Sequence, residues 1–83
     1  MDTNEFKEIV KKSVSEAVKS CGSQLNLAKK AGLTQGAIGK YVRGETLPTG
    51  VSANKLSKAV EGKQQPYDFA PHIFLPPDKS TVQ

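Results

Sequence analysis

Between Gln24 and Arg43 the chain reads Q-L-N-L-A-K-K-A-G-L-T-Q-G-A-I-G-K-Y-V-R, and the placing of its small residues leaves little choice of fold. Read as two short helices, about Gln24 to Ala31 and about Gln35 to Arg43, it puts Ala28 where the second crosses the first. A side chain larger than methyl there would push the axes apart. Gly32 accepts positive φ without steric cost, so it ends the first helix and begins the turn. Leu27, Ala31, Leu33, Ile38 and Tyr41 fall where a shared core would lie. Ser23 and Thr34 precede the two helices, each offering a hydroxyl to the unpaired N–H groups of a first turn. On the second helix, residues 35, 36, 39, 40 and 43 share one polar face, while Ile38, Tyr41 and Val42 turn inward.

The flanking segments complete a small helical domain. From Phe6, apolar residues recur at Ile9, Val10, Val14, Ala17, Val18 and Cys21, which predicts a helix over about residues 3–20. Asp2 and Glu5 have the spacing of a capping box, and the opposite face, with Lys7, Glu8, Lys11, Lys12 and Lys19, is a solvated one. Gly44 to Gly50 is loop chemistry. A further helix follows, capped by Thr49 or Ser52, with Val51, Leu56, Ala59 and Val60 directed inward and Gly62 just past its end. The fold expected is all-α, four helices, with residues 1–63 as the helical domain and 64–83 as a Pro-rich, apolar C-terminal extension. Pro66, Pro71, Pro76 and Pro77 argue against regular helix there. Tyr67 to Leu75 is too apolar to stay undocked. It is expected to fold back over the protein's own helices. The alternative is that Ile73, Phe74 and Leu75 pack across a two-fold axis. Asp78 to Gln83 is expected to fray.

Charge singles out the same region. Of 83 residues carrying a net +4, residues 24–63 hold seven Lys or Arg against two acids, whereas residues 1–23 are balanced at four of each. A basic surface on two crossed short helices suits phosphate. Hydrophobic content of 36 % limits the core to that of one small domain. The lone Cys21 rules out an intrachain disulfide or a multi-cysteine metal site and points to a reducing cytoplasm; it is expected to pack as a small apolar residue at the end of the first helix. No apolar run reaches the roughly 18 residues of a membrane span, and the first residues lack the pattern of a secretion signal.

Two helices crossing at a glycine turn form a helix-turn-helix, a device for holding the second helix in the major groove of double-stranded DNA. Gln35 is the best base reader, since its amide donates and accepts at once to adenine N6 and N7. Ala37 is placed to meet a thymine methyl, Lys40 to reach guanine acceptors or the backbone, and Arg43 to grip a phosphate. Ser23, Gln24 and Thr34 stand at helix N-termini, where phosphate oxygens bind readily. Gly36 and Gly39 each cost the helix up to ~1 kcal/mol relative to alanine. Two readings of the pair stay open: bare backbone for close approach to the groove, or glycine tolerated once the helix is packed.

The stretch resembles the helix-turn-helix of phage repressors of the Cro and CI type, in which one glutamine opens the first helix and another the recognition helix, as Gln24 and Gln35 do here. Gly22 through Phe74, about two-thirds of the chain, also resembles the small YdaS-like and Cro-like regulators, including a D-F-A-P-H-I-F element after the last helix. The resemblance implies a lambda-repressor-like domain and a repressor that binds palindromic operator half-sites as a homodimer. It implies no cofactor, metal, membrane or small-molecule substrate. Catalysis finds no support, because His72 and Asp68 lie four apart in a non-helical stretch and the glycines are not those of a phosphate-cradling loop. An antitoxin or adaptor whose apolar tail engages a partner protein remains the alternative.

Overall fold

The computed structural model describes residues 3–74 and is all-helical across them: α1 (Thr3–Cys21), α2 (Gln24–Ala31), α3 (Gln35–Arg43), α4 (Gly50–Ala59) and α5 (Pro66–Phe69). One cluster of buried side chains holds them together. Val10, Val14 and Ala17 come from α1, Leu27, Ala28 and Ala31 from α2, Ile38 and Tyr41 from α3, and Ala53, Leu56 and Ala59 from α4. The spacings within each set are those of a single helical face. Asp2, the first member of the expected capping box, lies outside the described residues.

Local chemistry fixes the ends of the central helices. The Ser23 hydroxyl accepts the Asn26 N–H at 3.0 Å and the Thr34 hydroxyl accepts the Ala37 N–H at 3.1 Å. Each cap is worth about 1 kcal/mol. At the other end of α2, Gly32 adopts φ +70° and the Leu33 N–H reaches back to the Ala28 carbonyl at 2.9 Å. Gly44 closes α3 in the same way, with φ +74° and the Glu45 N–H on the Lys40 carbonyl at 2.9 Å. Both closures need a left-handed residue, which glycine supplies.

Two expectations are corrected. Val51 is 65 % exposed rather than inward. The buried stripe of α4 is Ala53, Leu56, Ser57 and Ala59, and Val51 sits four and seven residues before the exposed Lys55 and Lys58, on the opposite face. The second concerns the number of helices, which is five among the described residues, not four. Proline does not prevent α5, because Pro66 occupies its first position, where no N–H is required. The Asp68 carboxylate accepts the Gln65 N–H at 2.8 Å to complete the start.

This last turn carries Phe69 and Ala70, both fully buried in the main cluster, and α5 packs against α1 and α4. A polar clip precedes it. The Ser57 hydroxyl donates to the Gln64 carbonyl at 2.7 Å, and the Gln64 amide donates to the Ser13 carbonyl at 2.9 Å, tying the connection to α4 and α1. Phe74 packs against the core near Gly50, while Ile73 stays 50 % exposed. Leu75 and Asp78–Gln83 lie outside the described residues. Cys21 closes α1 half-buried against the core.

Candidate nucleic-acid interface

Helix α3 is anchored on one side and open on the other. Ile38 and Tyr41 are buried, with Val42 and Ala37 half-buried against the same cluster. Gln35, Gly36, Lys40 and Arg43 are exposed, and the capping Thr34 is exposed with them. Thr34 and Ser23 already spend a hydroxyl lone pair on their own helices, leaving the second lone pair and the hydroxyl proton for a ligand. Gln24 opens α2 half-buried. The start of α2 is therefore set beside the outer face of α3 by the α2–α3 packing around Ala28, which is 2 % exposed.

Gly39 departs from the expected placement. It shares the periodicity of Gln35 and Arg43 yet is buried, because side chains close over it. A Cβ at Gly39 would lie 2.9 Å from Arg43 Nη1 and 3.6 Å from Gln24 Oε1. The missing side chain thus makes a notch in which the Arg43 head and the Gln24 amide converge, and Gly39 presents no surface of its own. Gly36 differs: a Cβ there would meet only the Thr34 hydroxyl, at 4.0 Å.

Glu45 is the residue that sequence reasoning passed over. Its carboxylate accepts the Nε–H of Arg43 in an ion pair whose side chains are 58 % and 52 % exposed. The hydrogen bond from Arg43 holds the Glu45 carboxyl below the usual glutamate range, Lys40 adding attraction, and the same pair raises Arg43 further. The available signal was position: an acid directly after the glycine that closes α3, one of two acids among residues 24–63. Elsewhere, His72 lies against Phe6, ring centroids 6.0 Å apart, and Asp68 is engaged in capping α5. No helix among the described residues is long and apolar enough to cross a membrane.

A short helix held by a tight crossing, with its polar face turned out and basic groups around it, is the architecture of a helix-turn-helix DNA-binding domain. Residues 22–61 match the helix-turn-helix family model, which takes in α2, α3 and α4 and supports placing the segment in the broad Cro/CI-type family. The match supports a DNA-binding transcription regulator, a regulatory rather than a catalytic domain. Comparison with curated proteins and with solved structures gave no significant match.

Proposed function

We propose that the chain is a Cro-like phage or prophage repressor that places α3 in the major groove and pairs as a homodimer on palindromic half-sites. The observation that carries this reading is the polar outer face of α3, Gln35, Gly36 and Lys40, standing exposed while Ile38 and Tyr41 lock the opposite face. Gln35 reads adenine, and Lys40 reaches guanine or the backbone. Ala37 lies at the edge of that face, and bare Gly36 lets the helix approach closely. Ser23, Gln24, Thr34 and Arg43 serve the phosphates and set register. Repression follows by occlusion of a promoter.

Gln35 tests the assignment because it is exposed at the start of α3, so truncation leaves the fold intact. Gln35→Ala is expected to cost about 1–3 kcal/mol on a site selected from random DNA and little on unselected duplex. Equal losses on both, measured by titration at one fixed salt concentration, would refute the reading role.

A further inference from the structure

We propose that Glu45 is an intramolecular competitor for the DNA phosphate at Arg43, so that an acid built into the end of the recognition helix sets the grip on the backbone. The inference rests on the reading of α3 as the DNA-facing helix.

The backbone of Glu45 is held in place by helix closure. Gly44, at φ +74°, turns the chain back, and the Glu45 N–H is fixed on the Lys40 carbonyl at 2.9 Å. Helix closure itself therefore delivers the carboxylate to Arg43 Nε. The other end of the guanidinium lies over the notch at Gly39. Arg43 Nη1 and Gln24 Oε1 lie 2.9 Å and 3.6 Å from the point where a Gly39 Cβ would stand, so the cationic head rests beside the first turn of α2. That is where a phosphate is expected, from the amide of Gln24 and the N–H groups of the helix start. A phosphate arriving there must take Arg43 from Glu45 or accept a carboxylate close by. Exposed pairs of this kind are weak, so the exchange is accessible. The other acid of residues 24–63, Glu61, follows α4; Glu45 is the one set among the recognition cations, with Arg43 hydrogen-bonded to it and Lys40 attracting it.

The test is Glu45→Gln, which keeps shape and removes charge, with thermal melting to confirm that the fold is retained. On random-sequence duplex at low salt its affinity should rise about two- to fivefold, and the plot of log affinity against log salt should steepen by part of the roughly 0.9 that one phosphate contributes. The gain should be alike on a selected site, since phosphate contacts carry no sequence information. In an Arg43→Ala background the same substitution should gain less than about twofold, because the competition is for Arg43. An equal gain in both backgrounds would mean that Glu45 acts only as a distant field, and unchanged affinity and slope in Glu45→Gln would mean no competition; either overturns the proposal. Wild-type protein without salt-sensitive DNA binding would overturn the DNA-facing reading along with it. Wild-type binding with a silent Glu45→Gln overturns the competition alone.

Discussion

Phe69 heads the fully buried side chains by volume, yet it comes from a helix of four residues, α5. Replacing it by alanine asks whether that short turn is structural or decorative. Returning a buried phenylalanine side chain to water forfeits about 2–3 kcal/mol of transfer energy. Incomplete collapse of the cavity brings the total to about 3–5 kcal/mol. For a domain this small, each kcal/mol moves the melting temperature by about 4–8 °C, so Phe69→Ala should lower it by at least ~12 °C. Urea titration followed by circular dichroism gives the free energy directly. If the alanine variant is unfolded at room temperature, Phe69→Leu reports the same contact at about 1 kcal/mol. Because α5 packs on α1 and α4 while the exposed polar face proposed to meet DNA belongs to α3, DNA affinity measured well below the melting temperature should stay within about twofold of wild type. A stability loss under about 1 kcal/mol for Phe69→Ala would refute the claim that this ring is core.

Arg43→Ala should weaken binding to all sequences alike and flatten the salt slope by up to about one unit, the part of a single phosphate contact that Glu45 does not already cancel; an unchanged slope would remove Arg43 from the backbone contacts. Stability should depend on pH through Glu45. Its carboxyl is lowered in the folded chain by Arg43, so the stabilisation it gives is present above the ordinary glutamate range and is lost as pH falls through the lower folded value. The difference in melting temperature between wild type and Glu45→Gln should therefore shrink on going from about pH 7 to about pH 3, and a difference that grows would reverse the sign of the assignment. Ile73, 50 % exposed, lies near Gly50, whose neighbour Val51 is also exposed, and together they offer an apolar surface for pairing. Ile73→Ser should weaken self-association on operator-length DNA in sedimentation, and a wild-type monomer both alone and on that DNA would dispose of the dimer.

Helix boundaries could be read closely because capping is local chemistry. Ser23, Thr34 and Thr49 accept N–H groups three residues ahead, and Gly32 and Gly44 take up left-handed closure, all within a few residues of chain. The core positions of α2 and α3 follow from helical period together with the crossing at Ala28. What sequence could not supply was tertiary. Gly39 has the right periodicity for the outer face, and only the bending of Arg43 and Gln24 over it takes it out of solvent. The apolar side chain of Val51 suggests burial, but Ala53 and Leu56 define the buried stripe of α4 and its register leaves Val51 outside. Pro66 argues against a helix interior but suits the first position of one, and that is where it stands. Glu45 is hidden from sequence for a related reason. Its role exists only once the Gly44 turn has brought its carboxylate back to a side chain two residues earlier.

The notch at Gly39 also bears on how much sequence information one copy can hold. On the proposed reading, Arg43 and Gln24 fill that notch and serve phosphates, Gly36 has no side chain, and base edges are left to Gln35 and Lys40. Each well-formed contact discriminates by about 1–3 kcal/mol, so one copy commands about 2–6 kcal/mol. Specific over non-specific binding typically spans about 4–10 kcal/mol. A single recognition helix built this way falls at or below the lower part of that range, whereas two copies on related half-sites reach across it. On this reading two copies are expected on DNA, because a helix with an outward glycine at 36 and a covered one at 39 has few side chains with which to choose a site alone.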